Sequence, residues 1–122
     1  MINIHTSNYS KARKMDKSKY LLVSISIFPP KGWTGMNARQ FAPSYELLKA
    51  YHLGLSKSDY EKEYRQQISK IRNIYTLFEN LAQKANGRDI VLLCYEKVGD
   101  FCHRHILSDI IYEQYGYRIT EI

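Results

Sequence analysis

The feature that most constrains the fold is an unbroken apolar run, Ile90 to Leu93, which ends at Cys94 and leads through a short polar turn into a helical pattern. A continuous apolar run without polar alternation is typical of a strand covered on both faces of a parallel sheet. The pattern that follows begins near Cys102 and has apolar residues at helical spacing, namely Ile106, Leu107, Ile110 and Ile111. A buried strand, a turn and a helix in this order predict an α/β protein.

The other strand signals fit the same architecture. Ile2 and Ile4 begin a short alternating strand, and residues 20–28 form the longest β-branched run, which Pro29-Pro30 ends. Residues 29–43 are predicted as loop, and Tyr117 to Ile122 as a closing strand. The expected fold is a Rossmann-like, three-layer α/β domain spanning residues 1–122. Its mostly parallel sheet has about four strands, with helices on both faces.

Three helices are expected between the second and third predicted strands. The first opens at Pro43-Ser44 and runs to Leu53, because Gly54 supplies a left-handed stop. Ser58-x-x-Glu61 and Thr76-x-x-Glu79 are capping-box patterns, so Ser58 and Thr76 are predicted as helix starts. A break near Asn73 therefore separates two consecutive helices.

The charge is distributed unevenly. The whole formal net charge of +6 lies in residues 1–45, and the remaining residues are balanced. This asymmetry favours an anionic partner, although a solvated lysine-rich surface has the same composition. No run approaches the ~20 apolar residues of a membrane span, and the start lacks a signal peptide's apolar core. The expected location is the cytoplasm, away from any membrane, and Cys94 and Cys102 are expected to be reduced thiols rather than a redox pair.

Polar and reactive side chains follow the predicted strands. In a parallel sheet these carboxyl ends lie at one edge, where α/β proteins bind ligands. The side chains predicted to meet a ligand there are Ser7 after the first strand, Lys31 and Trp33 after the second, and Cys94, Glu96 and Lys97 after the third.

Cys102 is the predicted catalytic residue. The start of a helix beside Arg104 and two histidines favours a thiolate that solvent reaches, and a thiolate is a nucleophile. Glu96 is the predicted general acid or base for it. The alternatives are a packed cysteine at 102 and a simply solvated carboxylate at 96.

The residues after Cys102 are predicted to bind a small anion. Arg104 offers a planar fork that fits a phosphate or carboxylate, or it pairs with Asp100 or Glu96. His103 is predicted to bind ligand with it. His103 and His105 lie about 200° apart on a helix, so one of them is a cap or packing residue. Cys94 either contributes to the site or packs in the core.

No metal or other cofactor is predicted. Cys94, Cys102, His103 and His5 are the types of residue that bind zinc, yet the sequence has no Cys-x-x-Cys or His-x-x-x-His pairing. Trp33, between Lys31 and Arg39, either stacks on a base or plugs the sheet edge.

At these residues the chain resembles the domain of unknown function family 488. Residues 92–97 (Leu-Leu-Cys-Tyr-Glu-Lys) and 101–105 (Phe-Cys-His-Arg-His) are similar to that family's C-terminal signature, in which a strand ends in Cys and a helix starts with Cys-His-Arg. Thr6-Ser7-Asn8, the strand from Ser24 to Pro30 and Ala42-Pro43-Ser44 also fit its smaller members. The resemblance implies a compact three-layer α/β protein, with Cys94, Cys102, His103 and Arg104 as signature residues, and it supplies no reaction.

One departure from the family concerns the second strand's exit. Larger members carry Asp-x-Arg there, whereas this chain has Ser24-Ile-Ser26 and then Phe28-Pro-Pro-Lys31. The leading hypothesis is an enzyme or ligand-binding protein for a small anionic compound, nucleotide-like or phosphorylated. The alternatives are a nucleic-acid-binding protein that uses the basic N-terminal third and a non-catalytic interaction module. The oligomeric state stays open.

Overall fold

The computed structural model describes residues 3–96 and 101–122. Within these ranges five strands form one sheet in the order β3-β2-β4-β1-β5, and every pair of neighbours is parallel. The strands are β1 (Ile4–Asn8), β2 (Tyr20–Ser24), β3 (Met36–Asn37), β4 (Asp89–Cys94) and β5 (Thr120–Glu121). The helices are α1 (Tyr9–Ala12), α2 (Tyr45–His52), α3 (Lys57–Ser69), α4 (Ile74–Ala85) and α5 (His103–Tyr115). The three-layer α/β prediction is confirmed.

The central strand β4 is covered on both faces, as its continuous apolar run predicts. Ile90 and Leu92 pack in the larger core beneath α3, α4 and α5. Val91 and Leu93 pack in a smaller core on the other face, which α1 closes with Tyr9. Because consecutive side chains of a strand point to opposite faces, only a run without polar interruption can fill both cores.

The sheet differs from the prediction on the side of β2. The strand ends at Ser24 instead of Phe28, and the predicted loop 29–43 contains the two-residue strand β3. Beyond Ser24 the backbone N–H of Ser26 bonds to the Ser24 side chain, and the Ser26 hydroxyl bonds to Tyr9. The Ile25 N–H still bonds to the Leu93 carbonyl oxygen, and at Ser26 side-chain hydrogen bonds replace the ladder. The strand β3 has only two residues, too few to show a sequence periodicity.

The helix boundaries are partly as predicted. Ser44 caps α2, and the break between α3 and α4 lies where it was expected. The predicted starts at Ser58 and Thr76 are wrong, because Ser56 and Asn73 accept the capping hydrogen bonds. The first residue of α4, Ile74, is buried. Its packing requires the helix to begin before the Thr76 pattern.

The chain leaves β1 and β4 towards opposite faces of the sheet. Tyr9 of α1 packs on one face, and Leu107 of α5 packs on the other. Adjacent strands whose connections diverge in this way open a crevice at their carboxyl ends, which is where α/β sheets bind ligands. No helix in the described part of the chain is long and apolar enough to cross a membrane.

Candidate functional site

A cavity of about 110 Å³ lies at the carboxyl ends of β2 and β4, beside the start of α5. The strand exits contribute Ser26, Phe28 and the stretch from Cys94 to Glu96, and α5 contributes Cys102 and His103. Helices α2 and α3 cover it with aromatic side chains, and Phe101 adds another. The wall therefore combines planar apolar groups with a cluster of sulfur and nitrogen atoms.

Cys94 and Cys102 are joined in a disulfide, with their Cα atoms 7.6 Å apart. The expectation of two reduced thiols is therefore wrong for this form of the protein. The two residues meet because β4 ends at Cys94 and α5 is capped by Cys102, so both lie at one edge of the sheet. Cys102 is 3% exposed, and the expectation that solvent reaches it freely is also wrong. It does line the cavity.

The ring of His103 is held in one orientation. Its Nε2 lies 2.6 Å from the carbonyl oxygen of Ile25, and its Nδ1 lies 3.7 Å from Sγ of Cys102. Because a carbonyl only accepts hydrogen bonds, Nε2 carries the proton and the Nδ1 lone pair faces the sulfur. Burial lowers the pKa of His103 to about 4, with Arg104 and His105 adding to the effect and the Ile25 bond opposing it. The ring is thus neutral at pH 7.

Arg104 is fully buried, and each of its nitrogens has a partner. Nε and Nη2 donate to the carboxylate of Glu121 at 3.1 and 2.8 Å, and Nη1 donates to Sγ of Cys94 at 2.9 Å. Glu96, one of the two partners considered from sequence, is not bonded to Arg104, and the other, Asp100, lies outside the described residues. Glu121 also accepts from the hydroxyl of Thr6. Burial raises the pKa of Glu121, but the bonds from Arg104 and Thr6 outweigh it, and the net shift is downward.

The occupied guanidinium changes what can be expected of the anion site. A fork whose nitrogens already bind Glu121 and Cys94 is not free for an external phosphate. Its observed contacts anchor β5 to α5 and fix the position of the Cys94 sulfur. Of the groups predicted to bind an anion, the backbone N–H groups at the start of α5 still suit one.

The family model "DUF488-N3a: Active DUF488-N3 subclade" matches residues 4–115. The chain belongs to this family. The resemblance read from the Cys-His-Arg element is confirmed. No curated protein and no solved structure matches the chain.

In this DUF488-N3a protein the other predicted site residues are dispersed. Glu96 is exposed at the cavity wall, and Lys97 lies outside the described residues. Ser7 is buried and donates to the carbonyl oxygen of Ile122. Of the two described residues, Glu96 lies at the cavity and Ser7 does not.

Trp33 and Lys31 lie away from the disulfide. Trp33 packs in the smaller core edge-to-face against Tyr9, and its Nε1 donates to the carbonyl oxygen of Met36. Lys31 is exposed beside it and lines a separate cavity of about 320 Å³. Gly35 lies so close that an added Cβ would overlap the Trp33 ring and come within 2.8 Å of the Leu22 carbonyl oxygen. The observed contacts of Trp33 are those of a packed side chain, as in the second of its two predicted alternatives.

Sequence reasoning missed a buried hydroxyl network next to the cavity. The Tyr9 hydroxyl lies 2.7 Å from the Ser24 hydroxyl and 2.9 Å from that of Ser26. Burial is the main cause that raises the pKa of Tyr9. The alternation Ser24-Ile25-Ser26 in an apolar strand was the available signal, because two serines on one face of a buried strand require polar partners.

The aromatic cover of the cavity was also missed. The spacing of Tyr60, Tyr64 and Ile68 predicts a buried helix face. Tyr60 is buried, yet it also lines the cavity together with Tyr51 and Phe101. Tyr60 packs against both of these rings, with centroids 5.0 and 5.3 Å away. Helical periodicity identifies a buried face but does not distinguish a filled interior from a cavity wall.

Proposed function

We propose that this protein is an enzyme that acts on a small anionic compound with a planar group, nucleotide-like in chemistry, at the cavity between β2, β4 and α5. The observation that carries the proposal is the convergence of Cys94, Cys102 and His103 on the wall of an aromatic cavity at the carboxyl ends of the strands. Cys102 is the proposed reacting residue. Ligand sites of α/β proteins occur at this edge of the sheet.

The shape and chemistry of the wall support the class of ligand. Tyr51, Tyr60 and Phe101 offer faces and edges against which a flat ring packs. The first turn of α5 presents backbone N–H groups and the positive end of the helix dipole, which favour an acidic group. Glu96, exposed at the same wall, is the proposed general acid or base.

The family match supports an enzyme over a non-catalytic interaction module. The subclade that matches is described as active, and the match spans residues 4–115. The buried cluster is included in that range. An interaction module without chemistry has no need of two cysteines and an oriented histidine on one cavity wall.

Thermal shift with the reduced protein tests the proposal. The panel contains nucleoside mono- and diphosphates, sugar phosphates and inorganic phosphate. A ligand at 100 times its dissociation constant stabilises a protein by about 2.7 kcal/mol, which raises Tm by several degrees in a domain of this size. The bound compound should also slow alkylation of Cys102, followed by mass spectrometry.

Two exposed tyrosines provide a matched pair of variants. Tyr95→Ala removes a ring from the cavity wall, and Tyr75→Ala removes an exposed ring from α4. The ligand-induced shift should fall in the first and persist in the second. If no compound in the panel raises Tm, or if alkylation of Cys102 is unaffected by every compound, the proposed function is wrong.

A second candidate function rests on a different surface. Two cavities of about 270 and 320 Å³ adjoin Trp33, and four cations line them, namely Arg13, Lys17, Lys31 and Arg88. A cationic groove beside an aromatic ring is how proteins hold single-stranded nucleic acid. We propose this surface as the place where RNA or DNA would bind.

The salt dependence of binding tests this second candidate. Affinity for a single-stranded oligonucleotide should fall with salt, with a log–log slope of about −0.7 per phosphate neutralised. Charge reversal of Arg13, Lys17 and Lys31 should flatten that slope. Reversal of Lys49 on α2, Lys62 on α3 and Lys70 at the end of α3 should not. Absence of binding at about 50 mM salt, where electrostatic affinity is high, would exclude this function.

A further inference from the structure

The cluster on the cavity wall has the spacing of a metal site. Sγ of Cys94, Sγ of Cys102 and a ring nitrogen of His103 all lie within 4.8 Å of one another, and all three residues are buried. Tetrahedral zinc, with Zn–S of about 2.3 Å and Zn–N of about 2.0–2.1 Å, places a sulfur and a nitrogen about 3.6 Å apart. The observed distance from Cys102 Sγ to His103 Nδ1 is 3.7 Å.

The groups behind the cluster are those that support metal ligands. A ligating histidine normally donates its other ring N–H to a carboxylate or a backbone carbonyl, which orients the ring. His103 does so through Nε2 to Ile25 and leaves Nδ1 facing Cys102. Arg104 donates to the Cys94 sulfur at 2.9 Å, a contact that stabilises a thiolate there.

We propose that the reduced protein binds one zinc ion through Cys94 Sγ, Cys102 Sγ and His103 Nδ1, with the fourth position facing the cavity. Two soft thiolates and an imidazole suit zinc among the available divalent cations. Three protein ligands with one open position are the arrangement of catalytic rather than structural zinc sites. The inference rests on the proposed function for its role, because it names the metal that would serve that cavity.

The disulfide and the zinc site exclude each other. In a tetrahedral site two sulfurs stand about 3.8 Å apart, farther than in any disulfide. The two sulfurs are bonded to each other in this structure, so the disulfide must be reduced before both can bind a metal. Reduction by a phosphine in water delivers two electrons and two protons to the sulfurs and leaves the phosphine oxide. Each thiol then loses its proton when zinc binds.

The open position gives the cavity a defined chemistry. Zinc lowers the pKa of a bound water towards 7 and polarises a carbonyl or phosphoryl oxygen. Glu96 lines the same cavity and is the proposed proton acceptor for such a water. Cys102, the proposed reacting residue, is then a zinc-bound thiolate.

Metal titration of the full-length protein tests the inference. Protein reduced with a phosphine and stripped with a chelator should bind one equivalent of zinc. X-ray absorption should find two sulfur ligands at about 2.3 Å and one imidazole. Cobalt(II) should give the intense thiolate charge-transfer and tetrahedral d–d bands. Protein left in the disulfide form is the matched control, and it should bind no zinc at this site.

Single substitutions test whether the zinc binds at this cluster and not elsewhere in the cavity. Cys94→Ser and Cys102→Ser should each weaken zinc binding by more than the roughly 10- to 100-fold typical of losing an outer contact. His52→Asn, a histidine at the cavity that lies outside the cluster, should leave the affinity unchanged. Should either serine variant fail to fold, the wild-type comparison of reduced and oxidised protein decides on its own.

Two outcomes would overturn the zinc site, and they are separable from the proposed function. Reduced wild type that binds no stoichiometric zinc, or binds it through oxygen and nitrogen ligands only, would remove the inference. The compound panel is run on both zinc-loaded and metal-free reduced protein. Zinc binding without any bound compound would contradict the proposed function alone, and compound binding without zinc would contradict the metal site alone.

Discussion

His103 and Arg104 are neighbours in the first turn of α5, yet they belong to two different kinds of buried polar cluster. His103 keeps an open nitrogen towards the Cys102 sulfur at the cavity wall. Arg104 is fully enclosed, and its contacts to Glu121 and Cys94 leave it no part in the cavity lining. Successive residues of a helix point about 100° apart, so one turn can serve both purposes.

The difference shows how the Cys-His-Arg element is divided. A polar group with all its hydrogen bonds satisfied inside the protein stabilises the fold, and one with a lone pair left facing a cavity is available for chemistry. Arg104 links the two clusters, because one of its nitrogens reaches the Cys94 sulfur. Variants of Arg104 and His103 test this division, and a variant of Tyr9 tests the neighbouring hydroxyl network. The variant with the largest expected effect comes first.

Arg104→Met should destabilise the protein by about 3–5 kcal/mol, because it leaves the Glu121 carboxylate partly buried without its cation. Urea unfolding measures the change. The control is Arg65→Met, since Arg65 also forms a two-bonded contact with a glutamate, Glu113, but at the surface. That loss should be below about 1 kcal/mol. Equal losses in the two variants would contradict the structural role assigned to Arg104.

His103→Gln should flatten the acid limb of the stability curve of the metal-free disulfide form. The folded protein holds the pKa of His103 at about 4, below its ordinary value of 6.5. Between these values the unfolded chain binds more protons, so stability is complete above pH 6.5 and falls as pH drops towards 4. The expected loss is on the order of 3 kcal/mol.

The difference between wild type and this variant, taken from unfolding at pH 7 and pH 4.5, isolates the contribution of His103. Burial also lowers the pKa of His105, and this residue is present in both proteins, so its contribution is common to the two curves. Parallel curves for wild type and His103→Gln would show that this ring is not held neutral in the fold.

Tyr9→Phe should cost about 1–2 kcal/mol, the smallest effect of the three. The variant removes the hydroxyl that bonds to Ser24 and Ser26, and the buried serines lose a partner. Tyr95→Phe is the control, because its hydroxyl donates to Phe28 at an exposed position, and it should stay within about 0.5 kcal/mol. A Tyr9→Phe protein as stable as wild type would show that the bonds from Tyr9 to Ser24 and Ser26 do not stabilise the fold.

The fold was largely predictable because the apolar pattern of this chain is local and strong. The run at Ile90–Leu93 predicted a doubly covered strand, and the spacing from Ile106 to Ile111 predicted α5. The short strand β3 was not predictable, since its two residues are paired only because β2 lies alongside. The starts of α3 and α4 were predicted wrongly, because the packing of each helix selects the residue that caps it. Ser56 and Asn73 are the caps.

The site was predictable in its position and less so in its contacts. Sequence order alone placed Cys94 at the end of a strand and Cys102 at the start of a helix. It did not reveal that Glu121, seventeen residues beyond Arg104, would occupy the guanidinium. Nor did it bring Tyr51 and Tyr60 to the cavity, because their helices reach it only through long-range packing.

By itself, then, the sequence determined the α/β class and the edge of the sheet where Cys94, Cys102 and His103 of the candidate site lie. These follow from periodicity and chain order, which are local properties. Only the tertiary structure showed that Cys94 and Cys102 are bonded to each other, that Nδ1 of His103 faces the Cys102 sulfur and that Arg104 is buried. Hydrogen bonds and burial join residues that are distant in the chain, and no local pattern specifies which partner a buried polar group will find.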